Sequence, residues 1–163
     1  MRFIVQHVSI QRSKRNLNSF MATDLAQYIQ TTPLCDTHEH LYNEQEYLEN
    51  NPDILQNLFG NYVSADLVVA GASQAAVDNL LNRANPDVAE RFNGVRTAWE
   101  AVRHTGYGEA VRLIARELYG IEELSAEAIV AAQPQHAALV QPGQRLHLLR
   151  EKANLDHVQV DNF

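Results

Sequence analysis

Two histidines one residue apart, His38 and His40, are the residues of this sequence whose types and spacing could do chemistry. They lie in the segment Leu34–Leu41, which has the length of a β-strand and follows a proline that ends the preceding helical pattern. Successive side chains of a strand point to opposite faces, so Asp36, His38 and His40 are predicted to share one face. Neutral imidazole is a good ligand for zinc and other late divalent metals. The spacing therefore predicts that both histidines can bind one metal ion.

The His-x-His spacing is weak evidence when it stands alone. The chain has seven histidines, so a pair at this spacing arises readily by chance. Zinc takes about four ligands, and catalytic zinc keeps about three from the protein, so two histidines leave the site incomplete. The alternative is a pair of strand histidines that backbone hydrogen bonds satisfy. The spacing by itself leaves both interpretations open.

A longer set of motifs resembles one enzyme superfamily. The segment Cys35-Asp-Thr-His-Glu-His-Leu41 is similar to the first-strand motif of the amidohydrolase superfamily, which comprises metal-dependent enzymes built on a (β/α)8 barrel. Three further segments resemble the helical region after that strand in the amidohydrolase-related ("amidohydrolase 2") branch, which has kinship to uronate isomerases. They are Ser64-Ala-Asp-Leu-Val-Val-Ala-Gly71, Trp99-Glu-Ala-Val-Arg-His-Thr-Gly-Tyr-Gly108 and Ala115-Arg-Glu-Leu-Tyr-Gly-Ile121. The resemblance covers residues 21–163.

The resemblance implies a specific metal chemistry. His38 and His40 match the two metal ligands of the family's first strand, and the implied cofactor is a divalent metal ion, with zinc as the first choice. The implied reaction is attack of a metal-activated water on the carbonyl of an ester-type or amide-type bond in a small-molecule substrate. Related branches use the same site for decarboxylation or for isomerisation of uronates, and the first-strand motif does not distinguish these reactions.

The resemblance also implies that the catalytic machinery is incomplete in this chain. In the family, a carboxylate or carboxylated lysine, further histidines and an aspartate come from later strands of the barrel. A barrel of this kind typically needs about 250 residues. The chain is therefore expected to be an N-terminal fragment, inactive alone. The alternative function is a non-catalytic fragment or a helical interaction module that retains family sequence.

Arg103, His104 and Tyr107 are weaker candidates for substrate binding. They flank a glycine-punctuated break between two helical patterns and could line a pocket for an anionic substrate. The alternative is a turn between two helices with a solvated arginine.

Other residues are predicted to be structural. Trp99 is predicted to belong to a helical core. Cys35 is predicted to be a buried thiol packed beneath the outer helices. The remaining histidines without partner spacing are predicted to be surface or satisfied core residues: His136, His147 and His157.

Composition and charge exclude several classes of function. The chain has 163 residues, of which 45% are hydrophobic and 20% charged, values typical of a globular protein. Its net charge is -7, and four of its 13 cations precede the first acid, Asp24, which leaves 9 cations against 20 acids. This acidity argues against nucleic acid and anionic membranes as partners. A single cysteine fits a reducing compartment, and the expected location is cytoplasmic.

The order of the predicted elements is a helix, a strand, a long helical stretch and a second strand. Residues 1–21 are predicted to be a basic, disordered tail. A helix is predicted from Asp24 to Gln30, with Leu25, Tyr28 and Ile29 on one face, and a strand over His157–Asp161. Between them lies a mainly helical region over residues 44–152. In that region helices are predicted to begin at Ser64, Ser73 and Ser125, one is predicted to end at Gly120, and apolar residues recur at helical spacing from Val88 to Val102. The predicted fold class is α/β, an incomplete (β/α)8 TIM barrel whose strands 1 and 2 flank a large helical insertion. Open barrel edges predict self-association.

Overall fold

The computed structural model of the chain describes residues 24–160. The predicted basic tail over residues 1–21 and the last residue of the predicted second strand, Asp161, lie outside these described residues. The chain divides into two compact units, one formed by residues 24–49 and 141–160 and one formed by residues 50–140.

The described residues form a mixed α/β structure that is mostly helical. Its elements are, in chain order, α1 (Asp24–Thr31), β1 (Leu34–Glu39), α2 (Glu44–Asn50), α3 (Ile54–Phe59), α4 (Val63–Val69), α5 (Gln74–Leu81), α6 (Val88–Asn93), α7 (Arg96–Val102), α8 (Gly106–Tyr119), α9 (Ala126–Ala131), α10 (Gln133–Leu139), α11 (Gln144–His147), a π-helical turn (Leu148–Lys152) and β2 (Leu155–Val160). The α/β class is confirmed, with two strands among the described residues.

The two strands pair in parallel, as their separation by a helical stretch predicts. Leu34 lies opposite Leu155, and Cys35 lies opposite His157, so β2 carries one extra residue between these pairs. A second irregularity lies between Asp36 and Glu39 on β1. Such register shifts are β-bulges, which redirect side chains locally.

The unit that contains the strands has a small apolar core. Ala153 and Leu155 are buried, and partly buried hydrophobic side chains pack against them: Leu34, Leu41, Leu149 and Val158. The apolar face predicted for α1, formed by Leu25, Tyr28 and Ile29, is exposed.

The helical unit holds most of the buried hydrophobic residues. Trp99 is 1% exposed, as predicted, and its ring meets that of Phe59 edge-on at a centroid separation of 5.5 Å. The Phe92 ring lies 6.0 Å from that of Phe59. Leu58, Leu67 and Leu80 are fully buried as well. Aromatic pairs at these distances add to the stabilisation from apolar burial.

Side-chain caps start several of these short helices. Asp53 accepts a hydrogen bond from the backbone of Gln56 at 2.9 Å, and the Gln56 side chain accepts one from the Asp53 backbone, which forms a capping box for α3. Ser73 and Ser125 cap α5 and α9, as predicted from the sequence. Ser64 does not cap α4, because its hydroxyl donates a hydrogen bond to the Phe59 carbonyl instead.

Candidate functional site

The two histidines of the sequence motif stand side by side at the carboxyl end of β1. Their ring centroids are 5.0 Å apart with an interplanar angle of 83°. Both imidazoles are exposed, whereas Glu39 between them is buried. The predicted shared face for His38 and His40 is thus present in the structure.

The backbone that presents these imidazoles is held by Asp36. Its carboxylate Oδ1 accepts a hydrogen bond from the His38 backbone N–H at 2.9 Å, within the irregular stretch of β1. Asp36 was predicted to share the face of the two histidines. In the structure it is half-buried, and this local hydrogen bond is of the kind that Asp side chains make in turns and bulges.

A cleft of about 1160 Å³ opens beside His40. All of its lining residues belong to the strand-containing unit: His40, Leu41, Tyr42, Asn43, Glu44, Glu46, Arg145, Leu146, Leu149 and Val160. Apolar and charged side chains both contribute to its walls. This combination suits a small molecule with a polar group.

Arg145 places a positive charge at the wall of this cleft. Its guanidinium lies 4.6 Å from the centre of the Tyr47 ring, a cation–π contact. Burial lowers the pKa of Arg145 from its ordinary value, while Tyr47 and Glu44 act in the opposite direction, and an arginine keeps its charge throughout. Its Nη1 is shielded from solvent and has no hydrogen-bond partner among the described residues. No motif or spacing in the sequence singles out Arg145 as a site residue.

Cys35 is exposed, so the predicted buried thiol is wrong. Its Sγ lies 3.6 Å from Nδ1 of His157, and that nitrogen lies 3.1 Å from Oδ2 of Asp156. Among the described residues, these three side chains form the cluster whose ligand atoms could meet at one metal ion. The sequence prediction missed it because the predicted second strand began at His157, and because a regular β2 would place Asp156 and His157 on opposite faces. The bulge after Leu155 breaks that alternation.

The weaker substrate-binding candidates lie in the helical unit. Arg103 pairs with Glu100 at 3.1 Å and with Glu123 at 3.2 Å, and its Nε lies 3.2 Å from Nε2 of His104. These contacts favour the alternative of a solvated arginine at a helix turn.

The third candidate of this set, Tyr107, is engaged with another aromatic ring. Its ring centroid lies 5.3 Å from that of Tyr62. The structure thus brings Arg103 and His104 together, while Tyr107 pairs with a residue outside the predicted set. A role in substrate binding stays a prediction for all three.

His136 is a satisfied core histidine, as its lack of partner spacing predicted. Its Nε2 donates a hydrogen bond to the Pro52 carbonyl at 2.9 Å, and the Tyr119 hydroxyl lies 3.4 Å from its Nδ1. Burial lowers the pKa of His136, while the bond to Pro52 and the charge of Asp53 raise it less. The neutral ring therefore serves the packing of the helical unit.

No known family model, curated protein or solved structure matches the chain. Over residues 24–160, no helix is long and apolar enough to cross a membrane. The candidate site therefore has to be interpreted from its own geometry and from the resemblance of its motifs.

Proposed function

We propose that this chain carries the first two strands of a (β/α)8 barrel and part of the metal site of an amidohydrolase-type hydrolase. The observation that carries the proposal is the contact between His38 and His40 at the carboxyl end of β1. In parallel barrels the reactive groups lie at that end of the strands. The parallel pairing of β1 with β2 across a helical insertion is compatible with this architecture.

The separation of the two imidazole rings is compatible with a shared ion. Zinc–nitrogen distances of about 2.0–2.1 Å in a tetrahedral site place two imidazole ring centres roughly 5 Å apart. The rings of His38 and His40 are separated by 5.0 Å. A divalent ion held there would supply Lewis acidity and an activated water for attack on a carbonyl carbon. Further ligands would have to come from groups other than these two histidines.

The cleft beside His40 supplies the surface for a substrate. Arg145 contributes a positive charge to this surface and Glu44 and Glu46 contribute negative charges, so Arg145 is the position at which a carboxylate of a small molecule would bind. Guanidinium groups bind carboxylates through paired N–H donors, so an arginine at this position would orient the substrate as well as attract it.

Metal binding by the full chain tests the proposal. Cys35→Ser is the starting variant, because an exposed thiol would add its own affinity for zinc. We expect this variant to retain zinc after dialysis, as measured by elemental analysis. His38→Ala/His40→Ala in the same background should lose the ion. His147→Ala is the matched control, because this exposed histidine of the same unit contacts Glu151 rather than the candidate site.

Hydrolysis is the second readout of this experiment. Because the chain is proposed to carry only part of the metal site, we expect a panel of small esters and amides, with and without a carboxylate, to show no turnover by either variant, so that zinc retention decides the test. The proposal fails if the Cys35→Ser variant and the double histidine variant hold equally little zinc.

A helical interaction module is the second candidate function. The observation in its favour is that the buried hydrophobic residues concentrate in the unit formed by residues 50–140. A metal-free, inactive chain that unfolds cooperatively through this unit would favour that function over the hydrolase.

A further inference from the structure

A second group of metal-binding side chains lies on the same strand pair and uses none of the residues of the proposed hydrolase site. It consists of Cys35 on β1 and of Asp156 and His157 on β2, and all three residues are exposed. Their three ligand atoms lie within 4.8 Å of one another. A thiolate, a carboxylate and an imidazole together are the donor types that zinc prefers.

The β-bulge explains how two consecutive residues of β2 reach the same thiol. In a regular strand, Asp156 and His157 would point to opposite faces of the sheet. The register shift leaves Asp156 as an extra residue between the pairs Leu34–Leu155 and Cys35–His157. Two residues of β2 thus oppose one residue of β1, as a bulge requires.

Two separations between ligand atoms of this cluster are close to those of a tetrahedral zinc site. Zinc–sulfur and zinc–nitrogen bonds of about 2.3 Å and 2.05 Å at the tetrahedral angle separate the two ligand atoms by about 3.6 Å. The Sγ of Cys35 lies 3.6 Å from Nδ1 of His157. The corresponding nitrogen–oxygen separation is about 3.4 Å, close to the 3.1 Å between His157 and Asp156.

We propose that Cys35, Asp156 and His157 form a zinc-type metal site that is independent of His38 and His40. Binding replaces the thiol proton of Cys35, which leaves to solvent, and the imidazole binds through Nδ1 in its neutral form. The thiolate and the carboxylate balance the two positive charges of the ion. Solvent fills the fourth position, since the three side chains are exposed. The ion joins β1 to β2 and fixes their register at the bulge.

Cobalt is the probe that isolates this site. Co²⁺ accepts tetrahedral zinc ligands and gives a near-ultraviolet charge-transfer band when a thiolate binds it. Cys35 is the single cysteine of the chain, so within one molecule such a band can come from this residue alone. We expect the full chain, kept reduced, to develop the band as Co²⁺ is added and to lose it when zinc displaces the cobalt.

Four variants decide the assignment of the ligands. Cys35→Ser should abolish the band, and His157→Ala and Asp156→Ala should each weaken cobalt binding roughly tenfold or more. His38→Ala/His40→Ala should leave the band unchanged, which separates this site from the proposed hydrolase site. His147→Ala is the control for a generic exposed histidine.

Two results would overturn the proposal. A band of unchanged affinity in both His157→Ala and Asp156→Ala would show that the thiol acts without this cluster. A band that requires two chains per cobalt, and whose strength therefore rises steeply with protein concentration, would show that thiols of separate molecules share the ion.

Discussion

The most consequential buried polar group of the helical unit is the side chain of Arg91. It is 1% exposed, and its Nη1 pairs with Oδ2 of Asp53 at 2.5 Å. The same guanidinium donates to backbone carbonyls of Asn79, Leu80 and Asn85 at 2.8 to 3.3 Å. It thereby ties the starts of α3 and α6 to the end of α5, so we expect its removal to destabilise the whole unit.

The loss of stability expected for Arg91→Ala follows from the burial and the charge of the ion pair. Breaking a buried ion pair by removing one partner costs about 3–5 kcal/mol. Asp53 is 25% exposed, so water can solvate part of the carboxylate that Arg91→Ala leaves behind, which favours the lower end of that range. The cavity left by the arginine stem adds to the loss. We expect a decrease of about 4 kcal/mol in the free energy of unfolding, or about 2 M in the urea midpoint.

Asp53→Asn separates the charge of this residue from its role as a helix cap. Asparagine caps helices as well as aspartate does, so the start of α3 should persist. The guanidinium keeps its carbonyl partners but loses its counter-charge, and we expect a smaller loss of about 2 kcal/mol. Arg112→Ala is the matched control, because Arg112 pairs with Glu109 at 2.8 Å in a more exposed setting and should cost at most about 1 kcal/mol.

Urea unfolding monitored by the fluorescence of Trp99 measures these differences, since Trp99 is the single tryptophan and lies in the core of this unit. The m-value should stay constant across the variants. If Arg91→Ala and Arg112→Ala lose equal stability, the reasoning about the buried guanidinium is wrong.

Two further predictions concern the helical unit and use the same unfolding measurement. The pKa of His136 is lower in the folded chain than in the unfolded chain, so the unfolded chain takes up a proton first as the pH falls through about 6.5. The folded state should therefore lose stability between this pH and the lower pKa of the folded chain. His136→Gln should remove this acid-side loss, and an unchanged pH profile would contradict the assignment. Gly108→Ala should destabilise the helical unit strongly, because an added Cβ would lie 2.0 Å from the Val102 carbonyl oxygen. Gly106→Ala should leave stability nearly unchanged, because a Cβ added there would meet no atom within 4 Å. Equal effects of the two alanines would refute this steric argument.

The sequence predicted the local features of the fold better than the contacts between distant segments. The cap of Ser73, the left-handed Gly120 after α8 and the core position of Trp99 all follow from patterns within a few residues. The parallel pairing of two strands followed from the long helical stretch between them. The (β/α)8 barrel that the family resemblance implies stays a prediction, because the described residues contain two strands.

The periodic run from Val88 to Val102 shows where a local pattern misleads. Its large apolar residues recur as in one helix and are buried, yet the chain forms two helices, α6 and α7, with a break at Gly94 and Val95. Arg91 lies within this run and gives no local sign that its charge is buried, because its partner Asp53 is 38 residues away. Contacts between residues far apart in sequence decide both the helix break and the burial of Arg91. Local sequence patterns do not reveal such contacts.

The candidate ligands depend on backbone register in the same way. His38 and His40 could be assigned to one face because the strand rule relates nearest neighbours. The Cys35 cluster could not, since it requires a bulge that places Asp156 and His157 together opposite a residue more than 120 positions earlier. The five side chains of the two groups are all exposed. Substitution of exposed side chains usually changes stability by no more than about 0.5 kcal/mol. Loss of metal in the corresponding variants therefore reports on ligation rather than on unfolding, provided that the circular-dichroism spectrum of each variant matches that of the parent chain, since Trp99 lies in the helical unit and does not monitor the strands.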